Sequence, residues 1–304
     1  MRLSALAEEV IARNIEAVFI GDIQELPWVT SRIEELGFSQ ILNKEDDFVP
    51  NSNSDLLILD SYSLPIDNNF IQPKNWQHVV TISDSLTPQY KSSLTIFPGL
   101  ELISDTENKS NILFGPEYIL LRSSIQKKFY SSSKIGKLNI VVTGGGSDPF
   151  NFGGKMSEVF AKIDGDFVVT FLVSQFSTYT LDSRFKFIDI GPALDEVIQK
   201  ADVVFTTAST SSLEMIAREI PIGIVCVADN QQDLYASLNR LGIVQPIGVK
   251  NINWEINIEN IENLITSKEL RSKLIANMSD VIDLKGCIRI LEAIQNLPNQ
   301  IKRA

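Results

Sequence analysis

Histidine, cysteine and clustered positive charge are what this sequence has least of. One histidine and two cysteines occur in 304 residues, and Cys226 and Cys287 each sit among apolar neighbours, outside any CxxC or Cys/His spacing. They read as buried thiols of a reducing compartment, and nothing in their spacing suggests a metal site. No Lys/Arg-rich run stands out, and 27 basic against 38 acidic residues leave a net charge of −11. This argues against a nucleic-acid surface, although an acidic chain can still hold a phosphorylated small molecule through local backbone dipoles. No apolar run approaches the roughly 20 residues of a membrane span. Glu8 and Glu9 also interrupt the first helical stretch where a signal peptide would be uninterrupted. A soluble, cytoplasmic protein is expected.

What is present is an alternation of short apolar runs with helical patterns. The runs AVFIGD, DLLILD, HVVTIS and LTIF come first, then LNIVVTG, DFVVTFLVS, FKFIDI, DVVFTTA and IPIGIVCVA. Runs that are apolar without strict alternation, separated by helices, indicate parallel strands covered on both faces. The expected fold class is therefore α/β, with a doubly wound parallel sheet in each half. The polar stretch 43–54 reads as a loop, and SSSKIGK at 131–137 as a domain boundary. The expected domains are 1–130 and 131–285, with a C-terminal helix at 286–304 packing back across them. At the start, Leu3, Leu6, Ala7, Val10 and Ile11 recur at helical spacing ahead of the first strand. A helix in an α/β protein normally follows its own strand, so a strand is expected ahead of Met1.

Four stretches carry chemistry. In LNIVVTGGGSDPFNF a strand runs into Gly144, Gly145, Gly146 and Ser147, with a helix expected from about 151. Such a turn lets backbone N–H groups approach a ligand closely, yet it matches neither the Walker A pattern nor the dinucleotide fingerprint. In ADVVFTTASTSSLEMIAREIP a strand ends in hydroxyl residues that include Ser209, Thr210 and Ser211, and a helix follows with Glu214 expected in its first turn. A helix start rich in Ser and Thr binds anions without Lys or Arg. Glu214 reads either as complementing that helix dipole or as a ligand to hydroxyls. The loops GPALDE, with Leu194, and VADNQQ, with Asn230 and Gln231, follow further strands. Ligands of open α/β sheets bind outside the carboxyl ends of strands. Together the loops suit a nucleotide, with the base on one loop, phosphates at a helix start and a carboxylate accepting two ribose hydroxyls.

The order and spacing of TGGGSDPFN, ALDEVIQKAD, STSSLE, EIP and ADNQ resemble the UDP-sugar hydrolases of pseudaminic acid biosynthesis. Those enzymes are related to the glycosyltransferase that adds UDP-linked GlcNAc to the peptidoglycan lipid intermediate. GPEYILLR at 115–122 is similar to that family's GPxYxLLR, and LDSY at 59–62 to its DxY segment. The resemblance implies a GT-B-like fold with two Rossmann-like domains facing a cleft, and a UDP-sugar as partner. It places uracil at the backbone around Leu194, the diphosphate between Gly145, Gly146, Ser147 and 209–211, and the ribose at Glu214. Asn230 and Gln231 are implied on the sugar or phosphate side, Tyr62, Tyr118 and Arg122 come from the first domain or its connection, and Arg2 is a further substrate contact.

The sequence departs from the family pattern at Ala208 and Ser209, where the family often has paired glycines, and at Ser83-Asp84, where it tends to have two aspartates. The family's Gly-x-Gly-His loop would fall just before Met1, so no catalytic residue is assigned within the chain. His78, the single histidine, reads as a surface or strand-end residue. The implied reaction is hydrolysis at the anomeric carbon of a UDP-linked deoxy-amino sugar, with no metal or cofactor required. A GT-B glycosyltransferase and a binding protein without turnover are the alternatives.

Overall fold

The computed structural model describes residues 2–21, 27–61, 63–84, 89–100, 111–128, 136–146, 148–173, 178–191 and 194–298. Its contacts divide the chain into two compact units, Met1–Ser123 with Asp283–Ala304, and Ser124–Ile282. The first cut falls at 123/124, not at 130/131, because the connecting segment is tied into the second unit. There Ser124 Oγ donates to Asp195 Oδ2 at 2.8 Å and Lys128 N–H donates to the Arg218 carbonyl at 2.8 Å.

The first unit opens with helix α1 (Arg2–Ala12), followed by β1 (Val18–Ile20), α2 (Pro27–Glu35), β2 (Gln40–Leu42), β3 (Leu56–Leu59), β4 (His78–Ile82), β5 (Leu94–Phe97) and β6 (Ile112–Phe114). β1 and β2 form a parallel pair, and β3-β4-β5-β6 form a separate four-stranded parallel sheet. Alternate residues of the larger sheet face different layers. Leu56, Ile58, Val80, Ile82, Leu94 and Ile96 pack with Ala5 and Leu6 of α1, while Leu57 and Leu59 pack with Ile71 and Tyr90. β2 and β6 are strands that the sequence pattern does not announce.

The second unit runs β7 (Leu138–Thr143), α3 (Phe152–Phe160), β8 (Phe167–Val173), β9 (Phe185–Asp189), α4 (Leu194–Lys200), β10 (Val203–Thr207), α5 (Thr210–Ala217), β11 (Ile222–Cys226), α6 (Gln232–Arg240), β12 (Gln245–Lys250), β13 (Trp254–Ile256), α7 (Ile258–Thr266) and α8 (Lys268–Met278). Its seven strands lie in the order β13-β12-β11-β10-β7-β8-β9, parallel except for β13. The first strand, β7, is central, and the chain reverses direction across the sheet between β7 and β10. This is the doubly wound order, with its switch point at the β7/β10 boundary. All five residues of β10 and of β11 are buried, the polar Thr206 and Thr207 among them, as strands covered on both faces require.

The last helix, α9 (Gly286–Gln295), belongs to the first unit. Cys287, Ile290 and Ile294 join the core beneath α1, and a Cβ on Gly286 would lie 2.1 Å from the Ile119 carbonyl oxygen. Glycine is required at that contact.

Candidate nucleotide site

The switch point of the second sheet brings two of the expected loops together. β7 and β10 are neighbours in register, with Thr143 opposite Thr206, so the glycine turn and the hydroxyl-rich turn leave the sheet side by side. Gly145 adopts φ +90°, a backbone conformation that disfavours side chains, and a Cβ there would lie 3.9 Å from Ser211 Oγ. Gly145 N–H also reaches Thr143 Oγ1 at 3.3 Å. Gly146 is exposed beside it, and Ser147 lies outside the described residues.

The two helix starts at this rim differ in what they leave open. Asp148, only 3% exposed, accepts from the N–H groups of Phe152 and Gly153, each at 2.8 Å. The first amides of α3 are thus taken by the protein's own carboxylate. At α5 the residue before the helix, Ser209, makes no side-chain cap; its Oγ accepts from Thr207 Oγ1 at 3.1 Å instead. The first turn of a helix carries N–H groups with no partner inside the helix, and the macrodipole makes that end positive. Of the two helix starts, that of α5, around Ser209, Thr210 and Ser211, is the one without a side-chain cap. Asp148 is a residue the sequence reading missed, although an Asp just ahead of a helix is a capping signal.

Glu214 requires a correction. The helix starts at Thr210, which puts Glu214 in the second turn of α5 and not the first. Helix-dipole effects fade within the first turn, so complementing the dipole explains this residue poorly. It is half-buried.

Leu194 opens α4 at the same rim, its N–H bonded to the Gly191 carbonyl at 3.0 Å. The start of α4 is fixed by a buried cation. Arg218, 1% exposed, pairs with Asp195 and reaches Gln199 Oε1 at 3.3 Å, while Ser124 holds the other Asp195 oxygen. Arg218 thereby joins the end of α5 to the beginning of α4, the two helices whose N-termini carry the expected contacts. Its only sequence signal is a charge within the apolar run LEMIAREIPIGI.

After β11, Asn230 is exposed on a 3-10 turn over Asp229–Gln231. Gln231 Oε1 accepts from Val227 N–H at 3.1 Å, so this side chain shapes its own turn.

In the first unit, Arg2 at the start of α1 makes a two-point contact with Asp60, at 2.6 and 3.1 Å, and pairs with Asp84. Those carboxylates follow the ends of β3 and β4. Tyr62 lies outside the described residues. Tyr118 sits on a 3-10 turn, Pro116–Tyr118, half-buried against the core shared by α1 and α9. Arg289 Nη1 donates to the Glu117 carbonyl at 3.0 Å and Cys287 Sγ to the Leu121 carbonyl at 3.7 Å, so α9 braces the GPEYILLR segment. Arg122 is half-buried at its end.

His78 opens β4 and is buried, not on the surface; its Nδ1 lies 3.3 Å from Ser93 Oγ, and burial lowers its pKa. Both cysteines are free and buried, and burial pushes the Cys287 thiol up to about 12. A concavity of about 600 Å³ in the first unit, lined in part by Phe48, Asn68, Phe70 and Lys74, contains none of the expected residues. Among the described residues no group of three His, Cys, Asp or Glu side chains is placed to hold a metal, and no helix is long and apolar enough to cross a membrane.

The solved structures similar to this chain include a candidate UDP-N-acetylglucosamine 2-epimerase from Listeria monocytogenes, with TM-score 0.66 and 13% identity, covering 98% of this chain and 94% of that one. The kitacinnamycin glycosyltransferase matches with TM-score 0.64 and 16% identity over 97% and 95% of the two chains. The fold is GT-B-like. The glycosyltransferase SsfS6 of Streptomyces sp. SF2575, solved with thymidine diphosphate, matches with TM-score 0.55 and 13% identity over 96% of each chain. By sequence, the chain is 25% identical over 265 residues to the uncharacterized protein MJ1062 of Methanocaldococcus jannaschii, a match that takes in 77% of this chain. It spans 54% of that relative's length. No protein-family model matches the chain.

Proposed function

We propose that the second unit binds the UDP moiety of a nucleotide sugar, and that the protein hydrolyses a UDP-linked deoxy-amino sugar to UDP and free sugar. The biosynthetic setting would be that of nonulosonic (pseudaminic-type) acid or a surface polysaccharide. The observation that carries the reading is the pairing of the Gly145 turn with the uncapped N-terminus of α5 at the sheet's switch point. That arrangement suits a diphosphate bound through backbone amides in a protein of net charge −11. The turn at Leu194 is assigned the uracil and Glu214 the ribose hydroxyls, following the resemblance to the pseudaminic UDP-sugar hydrolases. The GT-B-like neighbours include proteins named for UDP-sugar or glycosyl-transfer chemistry, which supports a nucleotide-sugar ligand.

In the proposed reaction water attacks the anomeric carbon and the carbon–oxygen bond to the diphosphate breaks, its electron pair leaving with UDP. The partial positive charge at the start of α5 offsets the charge gathering on the leaving group. The water's proton passes to a general base, a role the resemblance gives to a histidine on a loop ahead of Arg2.

Measuring UDP release without an acceptor, for this chain and for one extended upstream with that loop, tests the proposal. Acceptor-independent release by the extended chain supports hydrolysis. Release only on adding an acceptor points to a glycosyltransferase, and UDP binding without release in either chain points to a binding protein. Absence of UDP binding removes the whole reading.

A further inference from the structure

We infer that the concavity of about 600 Å³ in the first unit, between the segments that lead into β3 and β4, is a binding site for an uncharged sugar ring. Its volume is that of an ordinary small-molecule site. Trp76 stands two residues ahead of β4, and Gln77 N–H donates to the Asp55 carbonyl at 2.8 Å, just ahead of β3. The concavity therefore lies toward the N-terminal ends of these strands. Asp60 and Asp84, both bonded to Arg2, mark the C-terminal ends, where ligands of such sheets ordinarily bind. The two places are distinct, and the sugar site does not depend on the nucleotide reading of the second unit.

Its walls are fixed by the protein's own contacts. Trp76, 3% exposed, donates from Nε1 to the Phe70 carbonyl at 2.6 Å, and Phe48 stacks parallel to it with ring centres 5.9 Å apart. Phe70 meets the same indole edge-on. Asn68 Nδ2 donates to Glu45 Oε1 at 3.1 Å, which ties one wall to the other, and Asn68 Oδ1 accepts from Phe70 N–H at 2.8 Å. The half-buried Phe48 ring thus lines the concavity as a flat surface backed by a buried indole.

The polar groups decide the ligand. Asp46 and Lys74 both line the concavity and are exposed, and neither side chain has a hydrogen bond or ion pair with a described residue, each other included. A ligand of one charge is repelled by one of the two. Both are solvated, so neither calls for a counter-ion. Hydroxyl groups suit the pair, because each can donate to a carboxylate or accept from an ammonium, and the Asn69 amide in the same concavity can do both. A sugar ring also presents C–H groups on its face, which the negative face of an aromatic ring attracts. Laid on Phe48 with its hydroxyls toward Asp46 and Lys74, a sugar uses both sets of groups.

Hydrogen exchange and calorimetric titration of the full chain test this with glucose, galactose, mannose, fucose and N-acetylglucosamine, in the absence of UDP. At least one of these is expected to slow exchange within residues 45–50 and 68–76. Asp46→Asn and Phe48→Ala should each weaken its binding about tenfold, whereas Phe48→Trp, which keeps a flat ring, should retain it. Asp46 is exposed, so its variant folds even where Phe48→Ala does not. The assignment is overturned if no sugar slows those amides, if a sugar slows only amides beyond the C-terminal ends of β3 and β4, or if Asp46→Asn and Phe48→Ala bind it unchanged. Protection of the two segments by leucine or spermidine and by no sugar overturns it too, since the site then takes a zwitterion or a cation.

Discussion

Replacing Gly145 with alanine adds one methyl group at the centre of the proposed diphosphate site, and the structure separates the two ways in which it can act. The new Cβ would lie 3.9 Å from Ser211 Oγ, an ordinary contact, so steric overlap contributes little. The backbone is the sensitive part, because φ is +90° and a side chain there costs about 1–2 kcal/mol. If the turn keeps its shape, the folded protein loses that amount. If it relaxes, the turn moves away from the start of α5 and UDP affinity falls, about tenfold for each 1.4 kcal/mol. Gly21→Ala, in the first unit, is the control, since its Cβ position meets nothing nearer than the Phe19 ring at 3.4 Å and its φ is unremarkable. Urea denaturation and calorimetric titration with UDP measure both effects. A Gly145→Ala protein with unchanged stability and unchanged UDP affinity would refute the reasoning.

Gly286→Ala forces a Cβ to within 2.1 Å of the Ile119 carbonyl oxygen and should cost about 1–3 kcal/mol, read as a lowered melting temperature with faster exchange in α9. Arg218→Leu leaves Asp195 without its cation and should cost about 3 kcal/mol in urea denaturation, with faster exchange at the start of α4; a loss below about 1 kcal/mol contradicts the bracing role. Hydrogen bonds from Arg184 and Arg289 hold Asp182 and Asp283 at about 2, below the ordinary 3.8. Their contribution is complete above pH 3.8 and disappears as pH falls toward 2. Asp182→Asn with Asp283→Asn should therefore flatten the decline in urea midpoint over that window, and an unchanged slope counts against both pairs.

Strands buried on both faces were legible: LNIVVT, VVFTT and IGIVC are rich in apolar residues without strict alternation, the pattern of a sheet covered on both sides. β2 (QIL) and β6 (ILF) are three residues long and none of those residues is buried, too little for periodicity to register. The glycine turn and the hydroxyl-rich turn were readable from residue type. Their adjacency depends on β7 pairing with β10, 63 residues later, which no local pattern carries. The same limit hid Arg218, whose partners Asp195 and Gln199 stand on another helix, and Asp148, whose carboxylate takes the first amides of α3. Gln231 was readable as a polar residue after a strand, but its bond to Val227 N–H could be seen only once the turn was built.

Hydrogen exchange of the full chain with and without UDP tests the central claim most directly. The account predicts slowed exchange at Gly145 and Gly146 and at residues 209–212, with a smaller effect at the start of α4. Saturating UDP that leaves those amides unchanged, or slows only amides of the first unit, would contradict it.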